Sequence, residues 1–139
     1  MGVPSAKVLI ADVPEMDERL RECLPGHDLS FVRTMDEAMR ALRHRAFHLV
    51  VIGLHFDESR MFELLRYVRG LPAYKDVPVI CVQGIEFLLS DSVLKNIDVA
   101  VKAMGGTAFV DLRDDSHTMR EHCNFLDTVA AEGAALRPN

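Results

Sequence analysis

Five short apolar runs, each followed by an amphipathic stretch, constrain this chain more than any other feature of its sequence. The runs are Val8–Ala11, Leu29–Val32, Leu49–Ile52, Val79–Val82 and Ala108–Val110. Three of them are unbroken and rich in β-branched residues, as strands buried on both faces are. The second run carries Ser30 among its apolar residues and suits an edge strand. Helical periodicity fills the intervals. Met16, Leu20, Cys23 and Leu24 fall on one face, as do Met35, Ala38, Met39 and Leu42. Thr34 and Glu37 have the spacing of a capping box ahead of that second helix. Met61, Leu64, Leu65 and Val68 form a third stripe. Val93, Ile97, Ala100, Val101 and Met104 form a fourth, stopped by Gly105 and Gly106. Met119, His122, Cys123, Leu126, Val129 and Ala130 form a fifth.

Strand and helix thus alternate five times, which implies a parallel sheet with helices on both faces. Right-handed crossovers narrow this to a doubly wound α/β sheet. No internal repeat or low-complexity linker interrupts the pattern, so residues 1–139 are expected to form one domain. Its ordered core should span about residues 6–132, with a loose tail from Gly133 to Asn139.

Composition excludes several classes of function. A chain of 139 residues, 49% of them hydrophobic, buries roughly 68–70% of its unfolded surface and needs no disulfide or metal to hold a core. A net charge of −5 offers no basic footprint for nucleic acid. No block of lysine or arginine addresses a membrane surface. No apolar run reaches the length of a membrane span, and the first residues do not read as a signal peptide, so a cytoplasmic protein is expected. Cys23, Cys81 and Cys123 lie far apart within apolar patterns and read as reduced core residues. No Gly-x-Gly-x-x-Gly follows the first strand, so no dinucleotide site is present, and no cofactor is expected.

In a doubly wound sheet a ligand binds outside the carboxyl ends of the strands. Asp12 and Val13 follow the first strand, Gly53 the third, Gln83 closes the fourth, and Asp111 and Leu112 follow the fifth. The stretch from Lys7 to Asp12 (KVLIAD) and the stretch from His48 to Leu54 (HLVVIGL), followed by Phe62 to Arg66, carry a family pattern. So do Pro78 to Gln83 (PVICVQ) and Gly105 to Val110 (GGTAFV). In this order and spacing, over nearly the whole chain, they resemble the receiver domain of two-component response regulators. The resemblance implies a flavodoxin-like five-stranded sheet of order 2-1-3-4-5.

Set against that family, the chemistry is largely missing. The phosphoacceptor aspartate falls on Gly53, and the acidic pair on Asp12 and Val13. The hydroxyl residue falls on Gln83, the lysine on Leu112 and the proline after it on Arg113. Only Asp12 and the aromatic switch position, Phe109, keep their residue class. Phosphoryl transfer of this kind needs a carboxylate nucleophile, a divalent ion and a cation on the phosphoryl oxygens. A single Asp12 beside Val13 and Gly53 is a poor magnesium site.

The sequence therefore reads as a pseudo-receiver: not an enzyme, but an interaction module that signals without phosphorylation. The resemblance implies a contact face built from the fourth helix, fifth strand and fifth helix. A separate signalling protein is the expected partner, with a homodimer as a second expectation and neither nucleic acid nor membrane. Asp12 is read chiefly as a structural acid, and as a vestigial metal ligand in the sharper reading. Ile85, Phe87, Leu88 and Leu89 form an apolar segment without a partner in the basic fold. That segment is expected either to extend the fourth helix into the emptied pocket or to form an exposed contact. Two rival readings stay open. One is a receiver that takes a phosphoryl group on Asp57, or holds a metal through Asp12, His55 and Asp57. The other is a small-ligand sensor that uses the space left at Gly53.

Overall fold

A computed structural model describes residues 4–85, 89–113 and 116–138, apart from the side chains of Ser116 and His117. Five strands appear within a residue of the apolar runs: β1 (Lys7–Ala11), β2 (Asp28–Val32), β3 (Leu49–Gly53), β4 (Val79–Gln83) and β5 (Ala108–Asp111). The helices are α1 (Asp17–Cys23), α2 (Met35–His44), α3 (Met61–Arg69), α4 (Asp91–Ala103) and α5 (Ser116–Leu136). The sheet is all-parallel with order β2-β1-β3-β4-β5, the flavodoxin-like arrangement. Every residue of β3 and β4 is buried, whereas β2, at the edge, is exposed or half-buried except at Val32.

Side-chain alternation divides the core in two. Leu9, Ala11, Val50, Ile52, Val79 and Cys81 face α2, α3 and α4. Val8, Ile10, Leu49, Val51, Ile80 and Val82 face α1 and α5. The expected stripes Leu20–Cys23–Leu24 and Leu64–Leu65–Val68 lie wholly inside these clusters. Thr34 closes the capping box with Glu37 at the start of α2, worth about 1 kcal/mol.

Four expectations are corrected. Within the α4 stripe only Val101 is fully buried and Val93 is 40% exposed, because the helix touches the sheet mainly through its second half. The segment after Gln83 does not extend α4, which starts at Asp91 with the Ser90 hydroxyl accepting from the Val93 N–H. Ile85 instead packs on the α1–α5 side of the core, Leu89 is half-buried, and Phe87 and Leu88 lie outside the described residues. The stretch after Gly133 is not a loose tail: α5 continues to Leu136, with Gly133 and Ala134 buried. His48 receives it, accepting from the Lys7 N–H at 2.9 Å through Nδ1 and donating to the Arg137 carbonyl at 2.8 Å through Nε2.

The cysteines are the fourth correction. Cys23 and Cys123 form a disulfide between α1 and α5, and only Cys81 remains a buried thiol, its pKa pushed up to about 12 by burial. The two helices lie side by side on one face of the sheet. Their Cα atoms come within 4.5 Å at this point, although 100 residues separate them in sequence. His27 pairs with Asp127 along the same seam. No described helix is long and apolar enough to cross a membrane.

Two outcomes follow for solution work. Alkylation of the denatured, unreduced chain should label Cys81 alone, and reduction should expose all three thiols, read by intact mass. Reduction should also lower the unfolding free energy by about 2–4 kcal/mol in urea titrations. A Cβ at Gly133 would stand 2.8 Å from the His48 carbonyl oxygen. Gly133→Ala should therefore cost about 1–3 kcal/mol, whereas an undocked helix end would tolerate it.

Candidate functional site

The carboxyl ends of β1, β3, β4 and β5 meet at one end of the sheet, and the loops that leave them form the candidate site. Ala11 pairs with Ile52, so the next residues, Asp12 and Gly53, emerge together. Gln83 pairs with Asp111 on the far side. Asp12 is only 3% exposed. Its Oδ1 accepts from the Val13 N–H at 2.8 Å, and its main-chain oxygen accepts from Arg33 at 3.0 Å. The Arg33 guanidinium is itself held by both carboxylate oxygens of Asp17. Burial pushes the Asp12 carboxyl from the ordinary 3.8 up to about 7, against the opposing pull of the Val13 N–H and Arg33.

The space at Gly53 is filled. A Cβ built there would lie 1.9 Å from Asp12 Oδ1 and 2.0 Å from its Cγ. The expectation of an emptied pocket is thus corrected at this point: the Asp12 carboxyl stands where a side chain of residue 53 would begin. Leu112 is fully buried and packs with Val110 and Leu126 in the α1–α5 core. Val13 joins the margin of the same cluster, and Phe109 is half-buried against the opposite one. Gln83 is 1% exposed, and neither polar atom of its side chain has a hydrogen-bond partner among the described residues.

Arg19 is the side chain that sequence reading missed. From α1 its Nη1 donates to the carbonyls of Gly84 and Leu112, the latter at 3.0 Å, and so ties together the loops that leave β4 and β5. A Cβ at Gly84 would meet Met16 Cε at 2.4 Å, so glycine lets this loop lie flat on α1. Nothing in the helical period marks Arg19, because its partners are main-chain oxygens 65 and 93 residues away.

The residues of the rival readings do not converge. Asp57 follows His55 in the turn Phe56–Ser59, where Asp57, Glu58 and Ser59 all have positive φ. Its Oδ2 accepts from the Met35 N–H at 2.9 Å and from Arg60 at 3.2 Å, so it serves the start of α2. Burial lowers the His55 imidazole below its ordinary pKa of 6.5. Among the described residues, no group of three or more His, Cys, Asp or Glu side chains is placed to hold a metal. His122, from the stripe of α5, has its Nδ1 on the Asp111 carbonyl.

No protein-family model matches the sequence, and no curated protein matches it. Solved structures do share its fold. The phosphorylated cyanobacterial phytochrome response regulator RcpA superposes with a TM-score of 0.72 at 16% identity, over 91% of this chain and 94% of that one. A CheY-like receiver domain protein from Methanospirillum hungatei gives 0.69 at 17% identity, covering 96% and 99%. The receiver domain of a histidine kinase from Syntrophus aciditrophicus gives 0.65 at 22% identity, covering 89% and 91%. The chain therefore has the fold of response-regulator receiver domains.

Asp12 gives the site a pH signature. Between its exposed value of 3.8 and about 7, the folded state holds a proton that the unfolded chain releases. This contribution to stability is complete below the lower value and is lost as pH rises through the upper one. Between about pH 5 and 7, unfolding free energy should fall more steeply with pH in the wild type than in Asp12→Asn, by up to about one proton. Urea titrations across that range measure it, and equal slopes would place the Asp12 pKa near its exposed value.

Proposed function

We propose that the chain is a receiver-fold interaction module that signals without accepting a phosphoryl group. One observation carries the reading: the Asp12 carboxyl occupies the position from which a residue-53 nucleophile would have to project. The remaining parts agree. Leu112 offers no cation, and its side chain is buried in the core. The Arg19 guanidinium is occupied by two carbonyl oxygens. Asp12, Val13, Gly53, Gln83 and Leu112 would then be the remnant of a phosphorylation pocket, with Phe109 at the position of the switch aromatic.

Magnesium does not fit these residues. The ion seeks carboxylate oxygens in an octahedral, partly hydrated shell. Here one desolvated carboxyl, which burial has made a weaker acid, stands beside a glycine and a valine. The Arg19 tie would hold the loops after β4 and β5 in one arrangement and leave no phosphate-dependent motion to drive. Signalling would then depend on which protein binds. The exposed apolar residues Val93 and Val99 of α4 and Phe125 of α5 flank β5 and support a contact face there, for a partner protein or a second copy.

Incubation with acetyl phosphate and magnesium, followed by intact mass, should give no phosphoryl adduct. Gly53→Asp should give none either. That variant should be less stable than the wild type by about 1–3 kcal/mol, since it crowds a second carboxyl against Asp12 in a desolvated site. A stoichiometric adduct on the wild type would overturn the proposal, and its location on Asp57 would favour the phosphoacceptor reading.

A further inference from the structure

A cleft of about 310 Å³ opens at the amino ends of β3 and β4, away from the candidate site at their carboxyl ends. Its floor is apolar, made by the buried residues Leu42, Phe47, Tyr74 and Val77. The Tyr74 hydroxyl fixes this floor, accepting from the Phe47 N–H at 3.2 Å and donating to the Arg45 carbonyl at 2.9 Å. Arg43, Arg45 and Arg137 form the rim, the first two exposed and the third half-buried.

The three arginines come from both sides of the molecule. Arg43 and Arg45 stand at the end of α2, which covers one face of the sheet. Arg137 follows α5, which covers the other. Its main chain is held on both sides: the carbonyl accepts from His48 Nε2 at 2.8 Å, and the N–H donates to the Gly133 carbonyl at 3.0 Å. Arg45 lies over the Phe47 ring, 4.9 Å from its centroid. That contact keeps the guanidinium at the cleft and leaves its charge uncancelled, since the ring carries no net charge.

The charge of this cleft has one sign. No aspartate or glutamate lines it. Among the described residues, the side chains of Arg43, Arg45 and Arg137 make no ion pair and no hydrogen bond. The acids of α2, Asp36 and Glu37, stand in its first turn, whereas the cleft takes residues of its last. Asp76, beside Val77 in sequence, has its own cation in Arg69, which donates to the Tyr74 and Val77 carbonyls. Arginines near a helix end ordinarily need no ligand, because they offset the partial negative charge of the last carbonyls. Here the ends of α2 and α5 supply roughly half a negative charge each, and three guanidinium groups exceed that sum. Two of the carbonyls at these ends are already bonded, that of Arg45 by Tyr74 and that of Arg137 by His48.

We infer that this cleft binds a small organic anion. The apolar body of the ligand rests on Leu42, Phe47, Tyr74 and Val77, and its oxyanion group meets the guanidinium groups of Arg43, Arg45 and Arg137. Guanidinium suits the role, because its planar fork of donors matches the oxygens of a carboxylate or phosphate. The volume stands at the low end of the usual small-molecule range, roughly 300–1,000 Å³, which suits a ligand of one or two rings. A bound anion would join the ends of two helices that lie on opposite faces of the sheet. The inference uses none of the residues of the candidate site and stands apart from the reading of the chain as an interaction module.

The test is a titration of the ¹⁵N-labelled full chain with 2-naphthoate, read at the amide signals of Ala46, Phe47 and Tyr74. These signals should shift to saturation. The neutral isostere 2-naphthamide, which lacks the charge, and acetate, which lacks the apolar body, should each bind more weakly by about tenfold or more. Arg43→Gln with Arg137→Gln should weaken naphthoate binding by about tenfold or more and leave the spectrum away from the cleft unchanged. Arg40→Gln, on α2 but outside the cleft, should bind naphthoate as the wild type does. Equal binding of the amide or of acetate would overturn the inference, as would an equal loss in Arg40→Gln or no shift at the three amides. Broadening of the same signals by phosphatidylglycerol vesicles, without a response to naphthoate, would assign the arginines to a membrane surface and overturn it too. Phosphoryl uptake would overturn the phosphorylation-independent reading without touching this one.

Discussion

Burial of the central strands on both faces is the constraint from which the rest of the molecule follows. Val8, Leu9, Ile10 and Ala11 of β1, and all of β3 and β4, are withdrawn from water. Such strands cannot lie at a surface, so helices must cover both sides, and short parallel strands can be joined only by crossovers. The order β2-β1-β3-β4-β5 leaves two edges, and the strand with the least apolar sequence, β2, takes one of them. The same arrangement brings the carboxyl ends of four strands to one end of the molecule. The candidate site is thus a by-product of how the core is covered.

At that end, the residues present fit one another physically. Residue 53 is a glycine, and the buried Asp12 carboxyl lies over its backbone where a Cβ would stand. A carboxyl so placed loses hydration, which favours its protonated form and further weakens it as a ligand for a hard cation. Leu112 is part of the α1–α5 core, and Arg19 bridges the loop carbonyls nearby. A carboxylate introduced at residue 53 would therefore meet a position that the Asp12 carboxyl already fills.

Most of the fold was legible in the sequence because its signals are local. Apolar runs and 3.6-residue stripes report burial directly, and the Thr34–Glu37 spacing reports a cap. The reading failed where contacts link distant segments. The Cys23–Cys123 bond, the His48 grip on Arg137 and the Arg19 tie join residues 65 to 100 positions apart, and none leaves a periodic trace. The end of α5 was misread because small residues such as Gly133 and Ala134 suggest a loose tail in isolation. Gly133 is small because the helix there lies close against His48, and Ala134 is buried in the core beside it. At the site, spacing located Asp12 and Gly53, but that one fills the other's space is a property of the packed structure alone.

The bond between Cys23 and Cys123 also changes what the chain is as a covalent object. It closes residues 23 to 123 into a ring that contains β2, β3, β4 and β5. The first strand lies outside that ring in sequence, yet it sits between β2 and β3 in the sheet. One segment outside the loop thus fills a central place among the strands that the loop encloses. A single cut of the backbone anywhere between the two cysteines would leave both pieces covalently joined. The loops that leave β3, β4 and β5 at the candidate site could then be nicked without the molecule coming apart, whereas a cut in the Asp12 loop, outside the ring, would release the first strand.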